Sequence, residues 1–303
     1  MNHYQNLLVG LNLSDIDKTT IPYTAMISRN AKSKNTYFLH ISRNHLIPQS
    51  VRKEYPNLLG QLTEFAAHKM NETVEQHFDG DPGMETHFEV VEGSPLEELL
   101  YRSQQKKIDL IVVGRKQAGK ETRMLPLKLT RKAPCSVLVV PEGSQVKISG
   151  ILVGTDFSEC SAEAVKEAIT IAKANKIAKI HVLHAFCLPI GYYKTGKTEI
   201  QFAEIMKRHA KRDYRNFVRH IDLKGIILEP LYVLNKNPAN AIRKAIHQKQ
   251  IDLVITGARG RTAGAAVLLG SVTERLILTT DIPLLAVKKK GACMRIINAL
   301  KKL

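Results

Sequence analysis

The chain has 303 residues, 44% of them hydrophobic and 24% charged, which excludes wholesale disorder and, at roughly 150 residues per domain, suggests two domains. No apolar run approaches the ~18 residues of a membrane span, and the start MNHYQNLLVG lacks a secretion signal's basic and apolar parts, so a cytoplasmic protein is expected. The net charge of +17 is uneven: residues 1–146 hold 18 Lys/Arg against 16 Asp/Glu, the remainder 27 against 12.

The elements recur in order. Asn6-Leu-Leu-Val-Gly10 is echoed by Gly150-Ile-Leu-Val-Gly154, and Phe38-Leu39-His40 by Val182-Leu183-His184, both 144 positions on. Pro95 and Pro238 correspond, as do Ile108-Asp-Leu-Ile-Val-Val-Gly114 and Ile251-Asp-Leu-Val-Ile-Thr-Gly257, at an offset of 143. Ser136-Val-Leu-Val-Val140 returns as Pro283-Leu-Leu-Ala-Val287. Five ordered anchors with little drift indicate a duplicated domain. The division is expected at 1–145, 146–290 and a tail over 291–303, with the polar stretch Pro141–Lys147 as the seam.

In the second copy, 150–154 reads as a buried strand. A helix is predicted over 159–174 from Ala162, Val165, Ala168, Ile169 and Ala172, with Ser158 as N-cap. A strand at 180–186 follows, then a basic helix over 199–220 with Ile200, Ala203, Met206, Ala210, Tyr214 and Phe217 along one side. Next come a strand at 230–234, a helix from Pro238 to 249 and a strand at 251–256. A Gly-rich loop leads to a helix over 271–279 and a strand at 283–287. Alternating β and α with continuous apolar strands implies a parallel, helix-covered sheet in each copy, five strands apiece, doubly wound.

Ligands of such sheets bind past the carboxyl ends of the strands. There the second copy carries Gly257-Ala-Arg259-Gly260, then Arg261, and later Gly270-Ser271-Val272-Thr273 where a helix begins. Glycines admit close approach of backbone N–H groups to an anion, and a helix start offers free N–H groups and partial positive charge. The hydroxyls of Ser271 and Thr273 and the Arg259 and Arg261 side chains suit phosphate as well.

The spacing G-x2-G-x9-G-S formed by Gly257, Gly260, Gly270 and Ser271 resembles the ATP-binding signature of the universal stress protein family. The strand and turn Ile-Leu-Val-Gly-Thr155-Asp156-Phe157-Ser158, the second strand Val-Leu-His184-Ala185 and the run Gly-Ser-Val-Thr-Glu-Arg resemble it too. The likeness covers about 290 residues as two tandem copies. It implies adenine nucleotide α-hydrolase-like domains that associate through their last strands into an intramolecular pseudo-dimer. It implies ATP, or AMP or ADP, in the second copy, with Mg²⁺ as a possible companion. Thr155 and Asp156 would meet the adenosine and the Ala185 backbone the adenine. Gly257 and Gly260 would border ribose and phosphates, and Gly270, Ser271, Val272 and Thr273 would hold the phosphates. The implied work is stress response or signalling, with ATP hydrolysis at most slow and incidental, and a homodimer of the tandem chain is possible.

The first copy departs from this pattern. Asn12 stands at the position of Asp156, Gln117 at that of the second glycine, and Pro126 near that of Gly270-Ser271, where it would remove an amide a phosphate needs. That copy is not expected to hold triphosphate in the family's manner.

Two alternatives stay open. Gly191-Tyr-Tyr-Lys-Thr-Gly196-Lys197-Thr198 matches G-x4-G-K-[ST], so a P-loop hydrolase using Lys197 and Thr198 is one. A surface for anionic partners, driven by the basic second half, is the other, although no nucleic-acid motif appears. The histidines lack zinc spacing, His40 and His184 read as structural, and Cys135, Cys160, Cys187 and Cys293 are scattered, so neither metal nor disulfides are expected. Cys160 lies near a helix start but reads as an ordinary thiol. The amphipathic tail, with Cys293, Ile296, Ile297, Leu300 and Leu303 on one side, is expected to dock on protein rather than on a membrane.

Overall fold

The computed structural model describes residues 4–116, 120–260 and 269–289. The tail over 291–303, Arg261 and Gln117 lie outside the described residues. The chain divides into two compact units, one built on Met1–Lys147 and the other on Ile148–Thr280 with Leu284–Lys289.

The first unit runs β1 (Asn6–Leu11), α1 (Asp17–Ala31), β2 (Asn35–Ser42), the short α2 (Gln49–Glu54), α3 (Leu58–His77), β3 (Glu85–Glu92), α4 (Pro95–Gln105), β4 (Leu110–Arg115), α5 (Lys120–Lys132) and β5 (Ser136–Pro141). The second runs β6 (Ile151–Gly154), α6 (Glu159–Ala174), β7 (Lys179–Phe186), α7 (Glu199–Val218), β8 (Ile227–Leu234), α8 (Pro238–Gln248), β9 (Leu253–Gly257), α9 (Ser271–Thr279) and β10 (Leu284–Val287). Within the first unit the strands lie in the order β3-β2-β1-β4-β5, and within the second β10-β9-β6-β7-β8. Both are the same α/β topology of parallel neighbours.

Central strands are buried on both faces, which is why they read as unbroken apolar runs. Leu7, Leu8, Val9, Ile111 and Val112 fill the first core, and Leu152, Val153, Val254 and Ile255 the second. Each such side chain contributes roughly 1.5–3 kcal/mol by leaving water.

The duplication extends below the level of sequence identity. Val9 pairs with Phe38 and Val112, and Val153 with Val182 and Ile255. The left-handed residues Leu13, Lys32 and Lys107 return as Phe157, Lys176 and Gln250. Asp109 accepts the Gln5 and Asn6 amides, and Asp252 those of Ser149 and Gly150. Val9 and Val153, Lys32 and Lys176, and the two aspartates keep their residue type while most of the other pairs do not, so the backbone path repeats where side chains diverge.

The predicted helix starts are the observed ones at Glu159, Glu199, Pro238 and Ser271. Ser158 caps α6 by accepting the Ser161 amide, and Asn237 caps α8 ahead of Pro238 by accepting that of Asn240. The expected apolar side of α7 is covered unevenly: Ala210 and Tyr214 are buried, whereas Ile200 is 78% exposed. Among the described residues no helix is long and apolar enough to cross a membrane.

Candidate functional site

In the second unit strand order reverses between β6 and β9, and their carboxyl ends open a crevice there. A hollow of about 270 Å³ occupies it. Thr155, Asp156, Ala185, Arg259, Gly260, Gly270, Ser271, Val272 and Thr273 all line it. These residues come from four separate segments and meet because parallel strands end on one side.

Gly257, the tenth candidate, does not line the hollow. It is buried, and a Cβ on it would stand 2.9 Å from the backbone C and O of Cys160. Its lack of a side chain lets the end of β9 rest directly on the first turn of α6. Gly260 clears room differently: a Cβ there would lie 2.8 Å from Oδ2 of Asp156. The Asp156 carboxylate therefore lies directly against Gly260.

Asp156 is held by its own turn. Its Oδ1 accepts the Ser161 hydroxyl at 2.7 Å and the Ser158 amide at 3.1 Å, while its amide donates to Ser161 Oγ at 3.2 Å. Oδ1 is thus engaged in the turn, and Oδ2 lies on the Gly260 side. The next residue, Phe157, sits at φ 63° and stacks on His184, ring centroids 4.2 Å apart. Phe217 closes the same aromatic group at 5.4 Å from Phe157. His184 Nδ1 lies 3.0 Å from the Thr155 carbonyl. A carbonyl only accepts, so Nδ1 carries the proton and the ring is pinned against the wall. His40 repeats this bond to the Leu11 carbonyl at 3.1 Å, and burial holds it below the usual histidine range.

Another part of the lining is a helix tip. Gly270 is the N-cap of α9 with no side-chain cap, at φ −62° and ψ 133°. The N–H groups of Ser271, Val272 and Thr273 have no carbonyl upstream within the helix. A Cβ on Gly270 would meet nothing closer than 3.6 Å. The tip thus has room and donors, and Arg259 lies in the same wall. Thr273 departs from expectation: its buried hydroxyl is 2.9 Å from the Gly257 carbonyl and 3.1 Å from Thr256 Oγ1, so it ties α9 to β9. Ser271, by contrast, is exposed.

Sequence reasoning did not include Leu183, Pro238 and Ile242, which form the apolar wall, nor His184 as a lining residue. Pro238 and Ile242 belong to α8, about 80 residues from Asp156, so no local pattern announced them. Cys160 lies below the site, and its thiol is pushed up by burial, with the Arg259 guanidinium opposing, so it is no activated nucleophile.

The Walker-like stretch uses its polar groups internally. Tyr192–Thr195 is a short 3-10 turn in which the Lys194 amide donates to Gly191 and that of Gly196 to Tyr193. Thr198 caps α7 reciprocally with Gln201. The amides of Lys194 and Gly196 and the Thr198 hydroxyl, which a P-loop turns to a nucleotide, are thus engaged within the stretch.

In the first unit the corresponding turn is closed by a carboxylate. Asp17, at the position of Ser161, accepts the amides of Leu13 at 2.7 Å and Asn12 at 3.2 Å. Asn12 spends its carbonyl oxygen on the Ser14 amide and hydroxyl. Pro126 is not at a helix tip, contrary to expectation. It lies inside α5, which begins six residues earlier, so its missing amide removes no phosphate donor there.

The universal stress protein family's sequence model matches residues 3–141 and 148–288. Universal stress protein MJ0531 of Methanocaldococcus jannaschii is 31% identical over 46% of this chain and 81% of its own length. The universal stress protein E homolog of Haemophilus influenzae is 23% identical over 94% of this chain and 97% of its own. The crystal structure of a universal stress protein from Archaeoglobus fulgidus has the same fold, with a TM-score of 0.66 at 16% identity, covering 95% of this chain and 99% of that one. The chain belongs to the universal stress protein family, as two tandem copies of its domain.

Proposed function

We propose that the second unit binds an adenine nucleotide, ATP or its mono- or diphosphate, and that the protein acts as a nucleotide-responsive module in stress response or signalling. The observation that carries this reading is the mixed lining of one hollow. It joins a fixed carboxylate and an apolar wall, suited to ribose hydroxyls and a base, to a glycine-capped helix tip, suited to phosphate oxygens. Thr155 and Asp156 take the ribose side, Leu183, Ala185 and Ile242 the base. Gly260, Gly270, Ser271 and Val272 present backbone to the phosphates, and Arg259 adds charge. Thr273 positions the tip rather than donating its hydroxyl.

The donor set fits a nucleotide. About 270 Å³ sits near the lower end of the ~300–1,000 Å³ of ligand clefts, a size for the nucleoside with the phosphates at the helix tip. Among the described residues no group of three His, Cys, Asp or Glu gathers to hold a metal. Mg²⁺ would accordingly enter with the phosphates.

Mass spectrometry of ligand released from freshly purified protein, with calorimetry of ATP binding, tests the proposal. Adenine nucleotide at about one per chain supports it. Binding abolished by Lys197→Ala but untouched by Gly270→Asp would transfer the site to the Walker-like stretch.

A further inference from the structure

The sheet of the second unit ends on β8, which pairs with β7 alone among the described residues. The amides of Ile227 and Asn235 donate to the carbonyls of Ala178 and Phe186, toward β7. Backbone direction alternates along a strand, so Leu228, Pro230, Tyr232 and Leu234 turn their backbone groups the other way. Pro230 fits this phase, because on the open side its missing N–H costs no ladder bond. Amides and carbonyls at Tyr232 and Leu234 remain on that open edge.

Successive right-handed crossovers put α7 and α8 on opposite faces of the sheet, since the chain runs outward to β8 and then back. A groove of about 590 Å³, more than twice the nucleotide hollow, is lined by both helices and by Pro230–Val233 of the edge strand between them. Its floor is mainly apolar. Its walls carry Lys207 and Lys211 from α7, Lys244 from α8 and Lys249 beyond it, and no acidic residue lines it. Lys207 and Lys249 have carboxylates at 3.7 and 3.8 Å, in Glu204 and Glu229. Lys211 and Lys244 have no recorded ion pair among the described residues, one on each side of the strand.

We propose that this groove takes an extended acidic peptide segment of a partner protein, which adds as a strand to β8 along Tyr232–Leu234 and sets its carboxylates against lysines on both faces. Side chains of an added strand alternate between faces, so lysines on both sides suit acids at successive positions. Charge disfavours the other occupants at hand. The chain's own last 16 residues carry six Lys/Arg and no acid, and a second copy brings another +17. The groove is separate from the nucleotide hollow, sharing none of its lining residues.

The test uses the full chain and a fluorescein-labelled seven-residue peptide with glutamates at three successive positions flanked by valines, so that acids face both sides of the added strand, read by anisotropy. Saturable binding is expected, weakened at least tenfold by Lys211→Glu with Lys244→Glu and unchanged by Gly270→Asp. N-methylation of one alternate set of peptide amides should abolish binding while the other set leaves it, since only one set faces β8. Should the charge-reversed variant fail to fold by circular dichroism, Lys211→Gln with Lys244→Gln is expected to weaken binding at least threefold. Absence of peptide binding, indifference to both lysine pairs, or equal tolerance of both methylated sets would overturn the proposal. So would equal competition by an oligo-dT of the same charge, which would mark a general polyanion surface.

Discussion

Replacing Gly270 by Asp should move stability and nucleotide affinity in opposite directions. Gly270 occupies the N-cap of α9 with extended backbone angles that any residue adopts, and its Cβ position is open to 3.6 Å. An aspartate there accepts a first-turn amide and places negative charge at the positive helix end, stabilising the free protein by about 0.5–1 kcal/mol. The same carboxylate occupies the donors proposed for phosphate and repels it. At about 4 Å and an effective dielectric near 20, one charge pair costs about 4 kcal/mol, reduced to about 3 by relaxation, or roughly two orders of magnitude in affinity. Differential scanning fluorimetry without ligand and calorimetry with ATP read the two effects separately. A folded Gly270→Asp protein that binds ATP with wild-type affinity would refute the phosphate assignment at this tip.

The two glycines before it should part company. Gly257→Ala presses on the Cys160 backbone, which cannot swing aside, and is expected to destabilise by about 1–3 kcal/mol in chemical denaturation. Gly260→Ala pushes only on the Asp156 carboxylate, so the melting temperature should hold while nucleotide affinity falls at least tenfold by calorimetry. Thr273→Val strips a buried hydroxyl from the Gly257 carbonyl and should cost about 1–3 kcal/mol by urea titration. Asp17 is pushed up to about 6 by burial, against the amides that lower it. A folded pKa above the unfolded value near 4 means stability is lost as pH rises from about 4 to 6, by at most about 3 kcal/mol. Asp17→Asn should flatten that component, so the stability difference between variant and wild type should shift in the variant's favour across this window. A constant difference from pH 4 to 7 would disprove it.

Much of the architecture is local in origin and was therefore legible in the chain. Each buried parallel strand must be apolar on both faces, so 151–154 and 253–257 announce themselves as short apolar runs. Helix starts were legible at Ser158, Pro238 and Gly270 because capping is settled within three or four residues. The duplication was visible because both copies keep strand ends and punctuation at a steady offset. The glycine-and-serine spacing also pointed to one place in the second unit, since close backbone approach tolerates few residue types.

What sequence could not assign was which of several jobs a residue performs, because that depends on neighbours distant in the chain. Gly257 and Gly260 look alike in sequence, yet one clears the backbone of α6 and the other the carboxylate of Asp156. Thr273 looks like a phosphate donor until its hydroxyl is found bonded to the end of β9. Pro126 looks like a blocked helix tip until α5 is seen to start six residues earlier, and Asp17 becomes meaningful only when its carboxylate is found on the amides of the preceding turn. Hydrophobic periodicity and capping are short-range physics and are written along the chain. The walls of a hollow, the satisfaction of a buried hydroxyl and the lysine-lined edge of β8 arise from segments tens of residues apart, and only packing decides which of them meet.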